Sequence, residues 1–408
     1  MRRQPRQRKA RGRSLVGERY TVDVGPVAHG GHCVARHDGR VIFVRHALPG
    51  ERVVARVTEG DEGSKFLRAD AVEVLTESPD RVEPPCPYAR PGRCGGCDFQ
   101  HVRLDAQREL KAAVVREQLQ RLARLDVEVT VEPVPGDHDG LDWRTRVQFA
   151  VDRSGRPGLR KHRSREIEYV DRCLIAHPDL PAVLDRRWAG HESVEAIVSA
   201  TGERLRVLAD RDTITLDGPD VLHEQVDGRG FEVSGSGFWQ VHPGAADVLV
   251  SAVVAALEPQ PGERALDLYS GVGLFSAFFA DRVGPSGAVV AVESDPVAVS
   301  DAERNLAGLP QVTAVVDRVE RALERGSVGE SCDVVVLDPP RVGAKRDVVS
   351  AVVALGPRAV AYVACDPGAL ARDVAIFAEH GYRLDSLRAF DIFPMTHHVE
   401  CVAVLVPA

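Results

Sequence analysis

Short alternating and β-branched runs, cut by turn residues, fill residues 14–75. Residues 40–44 are apolar and β-branched behind the turn Asp38-Gly39. Pro49-Gly50 precedes a second such run at 52–57, and 69–75 alternates. Several short strands with turns between them predict a small β-barrel. Pro, Gly and Cys then crowd residues 79–100 and exclude long regular elements there. Over 101–125 the residues Leu104, Leu110, Val114, Val115, Leu119 and Leu122 recur at helical spacing, which predicts one long helix. Residues 127–235 read as mixed strands and turns with a basic stretch at 156–165. From about 245 the pattern changes again: a helix at 245–257 leads into apolar runs at 265–268, 288–292, 333–337 and 359–363, separated by helical segments. Strands alternating with helices predict a doubly wound α/β sheet.

The fold class expected is therefore α/β. Its parts are an OB-like barrel at 14–75, a small α+β central domain at 76–235 that carries a cysteine cluster, and a Rossmann-like domain at 236–408. A chain of 408 residues accommodates that division. No apolar run nears the roughly 18 residues that span a bilayer, and no signal-peptide core opens the chain, so a cytoplasmic protein is expected. Net charge is −8, yet residues 1–13 hold seven basic residues and no acid, leaving −15 on the remainder. That segment reads as a disordered tail, either a phosphate-neutralising arm or a solubilising extension. Only 5 of the 52 basic residues are lysine, so arginine content alone does not argue for a nucleic-acid partner.

Chemistry concentrates at the ends of the expected strands. The first ends in Asp267-Leu268-Tyr269-Ser270-Gly271-Val272-Gly273, a glycine-rich turn where backbone can approach a ligand. Ser276 stands where a dinucleotide site would have its third glycine, so a pyrophosphate cradle is not formed. The next strand ends at Glu293, twenty residues after Gly273, where a carboxylate can accept hydrogen bonds from two ribose hydroxyls. A third end carries Asp338-Pro339-Pro340-Arg341. Prolines there stiffen the chain around a carboxylate at the ligand-binding side of the sheet. The Asp and Arg replace the Asn and Tyr of amino-group methyltransferases, which argues against that chemistry. A fourth end is Val363-Ala364-Cys365-Asp366-Pro367. A thiolate that adds to carbon 6 of uracil makes carbon 5 nucleophilic toward a sulfonium methyl group; the proton on carbon 5 then needs a base. Glu400, in Thr396-His397-His398-Val399-Glu400, is the candidate.

These runs, in this order and with Gly237-Phe238-Trp239-Gln240-Val241 upstream, resemble the uridine-5 RNA methyltransferase family. Residues 30–36 and 48–51 resemble its TRAM barrel. The resemblance implies an EC 2.1.1 enzyme, with Cys365 as nucleophile and Glu400 as base. It implies Gln240, Tyr269, Glu293, Asp317 and Asp338 as contacts to S-adenosyl-L-methionine. Leu274 departs from the frequent asparagine, so that contact is not carried over; Ala364 replaces a frequent serine. The partner implied is RNA, with no membrane and a monomeric state. Large ribosomal RNA (23S) is expected rather than tRNA.

Cys86, Cys94 and Cys97 need a fourth ligand to close a tetrahedral site, and Cys173 is the nearest later candidate. Spacing leaves zinc and iron–sulfur open. Cys94-Gly95-Gly96-Cys97-Asp98-Phe99-Gln100-His101 resembles the segment that holds a four-iron (4Fe-4S) cluster in the ribosomal branch of the family, which implies that cluster here. Gaps of seven and two between the cysteines do not match a radical enzyme's three and two. A non-catalytic RNA-binding or assembly protein that kept the fold is the other reading, and Cys365 with Glu400 argues against it.

Overall fold

In the computed structural model, which describes residues 12–210 and 213–408, turn chemistry and alternation give the expected barrel. Asp38 and Gly39 both take left-handed backbone, φ 47° and 77°, the two-residue hairpin geometry whose twist matches its strands. They join His32–His37 to Arg40–Arg45. The five strands close in the order Arg19–Ala28, His32–His37, Arg40–Arg45, Phe66–Thr76, Arg52–Glu59. Closure by pairing Arg19 with Arg56 leaves no open edge. Inward residues such as Val22, Ile42, Val44, Val53, Ala55 and Leu67 are buried. Residues 1–11 of the basic tail lie outside the described residues.

The chain divides into two units. One takes the described residues up to Leu110 with Arg160–Glu168 and Met395–His397; the other takes Lys111–Leu159, Tyr169–Pro394 and His398–Ala408. The long helix is shorter than its periodicity predicts. It runs Leu104–Gln118 and ends in a single π-turn, Leu119–Ala123, because Arg124 turns left-handed at φ 58°.

In the second unit, antiparallel strands Ile214–Asp217, Arg204–Ala209, Ser193–Val198, Arg146–Val151 and Pro157–Arg160 lie side by side. The same unit holds an eight-stranded sheet in the order Val312–Val316, Ala288–Glu293, Arg264–Leu268, Val334–Leu337, Ala359–Ala364, Glu400–Pro407, Tyr382–Asp391, Val131–Pro133. The first five are parallel. Helices cover such strands on both faces, which is why they read as unbroken apolar runs; Val334–Leu337 is wholly buried. The helix expected at 245–257 is found at Ala245–Leu257. Strand order reverses beside Arg264–Leu268, so the crevice for a ligand opens at the carboxyl ends there. Among the described residues no helix is long and apolar enough to cross a membrane.

Lys111 is fully buried with its Nζ 2.5 Å from Asp391 Oδ1 and 3.0 Å from the carbonyl of Phe393. This pair ties the helix to the strand end that leads toward Glu400.

Candidate active site

The turn after Leu268 is shaped by three left-handed residues, Tyr269, Gly271 and Gly273 (φ 68°, 54° and 85°). The amides of Tyr269 and Ser270 both donate to the carbonyl of Val292 at 3.0 Å, which locks the turn to the neighbouring strand. A Cβ on Gly273 would lie 2.9 Å from Leu306 Cδ1, whereas one on Gly271 would meet open space. Gly271 therefore faces room for a ligand, and its amide donates to Glu293 Oε2 at 3.2 Å. The other Glu293 oxygen accepts the amides of Ser294 and Asp295. Asp317 follows the next strand and donates its amide to the carbonyl of Glu293 at 3.0 Å. Its carboxylate takes the Arg318 amide and the Arg325 guanidinium. Asp338 is anchored by its amide to the carbonyl of Leu268 at 3.2 Å. Tyr269, Glu293, Asp317, Asp338 and Cys365 thus cap five adjacent parallel strands.

Gln240 arrives on a separate segment. The Ser234 amide and hydroxyl both donate to Asp301, and the Gly237 amide folds back to the carbonyl of Ser234. Trp239 is buried against Phe231, Gln240 is half-buried, and Phe238 is 73% exposed.

Cys365 and Glu400 meet through strand register. Ala359–Ala364 pairs antiparallel with Glu400–Pro407, and its last pair is Ala364 with Cys401. One step further, Cys365 falls opposite Glu400, on the same face of the ladder. Asp366 caps the following helix by accepting the Ala369 amide at 2.8 Å, with Pro367 at the first helical position. The cap fixes where the strand stops and so where the thiol sits.

The electrostatics are dominated by burial. Glu400 is held well above the usual carboxylate range by desolvation and then by Asp338, with Arg341 opposing. Burial raises the Cys365 thiol to about 11; Glu400 and Asp338 add to the rise and Arg341 opposes it. Asp338 is pushed up to about 7 by burial and by Asp267. Asp267 itself rises to about 6 through burial, although the Ser276 amide and hydroxyl donate to its Oδ2. Its Oδ1 is buried without a hydrogen-bond partner. A cluster of buried acids with an orphaned oxygen suits a cationic ligand, whose charge would favour the ionised carboxylates. A sulfonium nucleoside has that charge.

Two participants escaped the sequence reading. Asp267 sits inside an apolar strand; its signal was the lone acid in Arg264–Leu268. Arg341 stood in the quoted motif without a role, yet it is the positive group acting on both Cys365 and Glu400. Its loop is held by Asp373, whose Oδ2 accepts the Tyr362 hydroxyl (2.5 Å) and the Ala344 amide (2.7 Å). Gly343 is required there, because a Cβ would lie 2.6 Å from that oxygen.

The expected cysteine quartet is not gathered. Among the described residues no group of three or more His, Cys, Asp or Glu side chains could hold a metal ion. Cys86, Cys94 and Cys97 share one loop of the first unit; Cys173 lines a cavity of about 630 Å³ in the second. The Gly96 amide donates to Cys94 Sγ at 3.4 Å and Gln100 Nε2 to Cys97 Sγ at 3.2 Å.

Comparison with known proteins bears on this arrangement. Residues 13–72 match the TRAM domain profile, 323–407 match tRNA (Uracil-5-)-methyltransferase, and 243–320 match Protein-L-isoaspartate(D-aspartate) O-methyltransferase. An "Uncharacterized RNA methyltransferase" of Streptomyces avermitilis is 52% identical over 96% of this chain and 99% of its own. Its counterpart in Streptomyces coelicolor is 53% identical over 97% and 94%. Among solved structures, the Pyrococcus abyssi tRNA (uracil-54, C5)-methyltransferase in complex with S-adenosyl-L-homocysteine superposes with a TM-score of 0.70. It is 23% identical and covers 95% of this chain and 100% of its own, which establishes a shared fold.

Proposed function

Because the chain belongs to the TRAM-containing RNA (uracil-5-)-methyltransferase family, we propose that it methylates carbon 5 of a uridine with Cys365 as nucleophile and Glu400 as base. The observation that carries this reading is the register that leaves Cys365 opposite Glu400 at the open end of the sheet. S-adenosyl-L-methionine supplies an electrophilic methyl group on a sulfonium. Its contacts are assigned to Gln240, Tyr269, Glu293, Asp317 and Asp338. Glu293 suits the ribose hydroxyls, and the half-buried Asp338 suits the cationic end.

Once Cys365 and Glu400 have each lost a proton to solvent, the Cys365 sulfur bonds to carbon 6 of uracil, and the ring electrons pass to carbon 5 and oxygen 4. Arg341 offsets the negative charge that the thiolate brings to a pocket already rich in acid. Carbon 5 takes the methyl group. Glu400 then removes the carbon 5 proton, and expulsion of the Cys365 thiolate restores the ring. The burial that holds Glu400 well above the usual carboxylate range also makes its carboxylate a stronger base once formed. The net reaction exchanges one proton for one methyl group.

RNA containing 5-fluorouridine tests this. Fluorine cannot leave as a proton, so the reaction stops with the base joined to the enzyme. A cross-link that maps to residue 365 is expected; its absence in the presence of the methyl donor overturns the assignment.

The target we infer is 23S ribosomal RNA, supported by the run Cys94-Gly95-Gly96-Cys97. The match of residues 323–407 to tRNA (Uracil-5-)-methyltransferase favours tRNA as the second reading. Mapping 5-methyluridine in both RNAs from a deletion strain separates them. The same run supports a structural four-iron cluster on Cys86, Cys94, Cys97 and Cys173, and N–H donors to sulfur suit thiolate ligands. Anaerobic preparations should then hold about four iron and four sulfide per chain; one zinc and no sulfide would replace that reading.

A further inference from the structure

The basic stretch noted in the sequence has no part in the chemistry above, yet it completes a cavity in the first unit. The cavity is about 730 Å³ and opens between the barrel, through Phe43, Arg45 and Arg68, and the turn Lys161, His162, Arg163. Small-ligand sites span roughly 300–1,000 Å³.

The turn is built, not incidental. Lys161 donates its amide to the carbonyl of Glu166 at 3.0 Å, and Arg163 takes a left-handed φ of 50°, a conformation uncommon for a residue other than glycine. The cysteine loop seats it: the Gly95 amide donates to the carbonyl of Arg160 at 3.0 Å, and Cys94 forms a β-bridge with Lys161. A side chain at Gly95 would collide with the His162 backbone, its Cβ lying 2.5 Å from that amide nitrogen. The two glycines between Cys94 and Cys97 therefore let basic backbone lie directly on the thiol loop.

The lining has two chemistries. One is planar: the Arg68 guanidinium lies 5.3 Å from the Phe66 ring and 5.7 Å from that of Phe43, and it bonds His32 Nε2 at 2.8 Å. Burial, with nearby arginines, lowers His32 and His162 to about 4, so both rings are neutral at physiological pH. The other is cationic. Five Lys and Arg residues line the cavity against three Asp and Glu, within a chain whose net charge is −8. Glu59 is shared by Arg68 and Arg163, at 3.3 and 3.6 Å, so one carboxylate stands between two guanidiniums. Neutral rings with a stacked guanidinium accept a nucleobase; surplus cations at the rim accept its phosphates.

We propose that this cavity holds one unpaired nucleotide of the substrate RNA, with its base against Phe43 and Arg68 and its phosphates at Lys161 and Arg163. The proposal rests on the reading of the chain as an RNA methyltransferase. It also gives the cysteine loop a task, which is to hold the basic turn over the barrel.

The test uses the full chain, a fluorescein-labelled ten-nucleotide oligouridine and a ten-base-pair RNA duplex, read by anisotropy from 50 to 200 mM salt. The double variant K161A/R163A should bind oligouridine at least about ten-fold more weakly. Its slope of log affinity against log salt should be shallower by about 1.4, since each phosphate contact to a single strand contributes about 0.7. Phe43→Leu, which keeps the barrel apolar, should weaken oligouridine binding about five-fold or more with the slope unchanged. Arg383→Ala, at a surface cation of the second unit paired with Asp385, should match wild type. Equal affinity of K161A/R163A and wild type overturns the proposal. So does an equal loss on duplex and single strand, which would make the cavity rim a general polyanion patch. Adduct formation at residue 365 with short 5-fluorouridine RNA is read in parallel. If wild type forms none, the uracil reading falls while the anisotropy result still decides the nucleotide cavity.

Discussion

Two recognition regions of this chain handle charge in opposite ways. The carboxyl end of the parallel sheet buries Asp267 and Glu400 and half-buries Asp338, all pushed toward their neutral forms by desolvation. The barrel cavity instead gathers cations that stay partly wet: side-chain exposure is 55% for Arg163 and 30% for Lys161. Buried acids are expensive to ionise in an empty site and become favourable only when a cation enters. Half-exposed cations cost little while waiting and give correspondingly modest, salt-sensitive attraction. The first arrangement, on the proposed assignment, would favour a small cationic cofactor over its neutral product. The second, as proposed, meets the phosphates of an unpaired nucleotide with cations that salt can also reach.

The sharpest way to break the first half of this contrast is to remove the sulfur. Cys365→Ala should lower methyl transfer by at least about a thousand-fold, because covalent activation of the ring is lost. Affinity for S-adenosyl-L-methionine should stay within about two-fold of wild type. Turnover retained in the variant, measured with a radiolabelled methyl donor, would show that carbon 5 is activated by other means.

A smaller effect separates the sulfonium from its product. With Asp338 pushed up to about 7, most of its population is protonated at pH 6 and ionised at pH 8. Affinity for the cationic methyl donor should therefore rise about ten-fold between those pH values and then level off. Binding of neutral-sulfur S-adenosyl-L-homocysteine should rise less. Asp338→Asn should flatten the profile and leave the pH 8 affinity about ten-fold lower. Calorimetric titrations at three pH values check this; identical profiles for the two ligands would detach Asp338 from the sulfonium.

Smaller again is a change in stability. Glu400 has a folded pKa well above its unfolded value, so the folded state binds its proton more tightly. The stability this confers is complete below about pH 4.5 and is lost progressively as pH rises toward the folded pKa. Glu400→Gln removes the loss, so the variant should gain on wild type as pH increases, by about 1 kcal/mol or more between pH 5 and 8. Urea midpoints at the two pH values measure it. A constant difference would mean that the carboxyl is already ionised in the folded protein. In activity assays the same variant should accumulate the methylated RNA adduct.

Much of the catalytic half was legible because two-sided burial writes itself as unbroken apolar runs, and each run ends on a polar residue at the ligand side. Residues 265–268, 288–292, 333–337 and 359–363 fall in strands for that reason, and Asp38-Gly39 forms its turn because few other pairs tolerate two left-handed residues. What failed to show was non-local. Val131–Pro133 is too short to have a period, yet it pairs with Tyr382–Asp391 at the edge of the sheet. The helix expected to reach 125 stops early at one left-handed arginine, where nothing in the apolar spacing changes. Asp267 was hidden because one acid in a five-residue strand looks like alternation. The cysteine quartet is a different case: sequence spacing fixes neither side-chain direction nor the position of a ligand some seventy residues away. The basic stretch at 156–165 carried no sign in sequence that part of it packs on Gly95.

The smallest expected effect is the one that tests the contrast itself. Raising salt from 50 to 200 mM shortens the Debye length from about 14 to about 7 Å. Screening of that kind acts on charges that ions can reach. At the barrel cavity it competes directly with phosphate, so oligouridine affinity should fall steeply, as counterion release requires. At the sheet end Glu400 is buried and Asp338 half-buried, and a cation bound against them would be shielded from bulk ions. S-adenosyl-L-methionine affinity should therefore change by less than about two-fold over the same range. Measuring both ligands on one preparation removes differences in folding or concentration. Should the two affinities fall in parallel, the acids at the sheet end must be open to bulk ions. Their raised pKa values could not then be the reason the site prefers a cation.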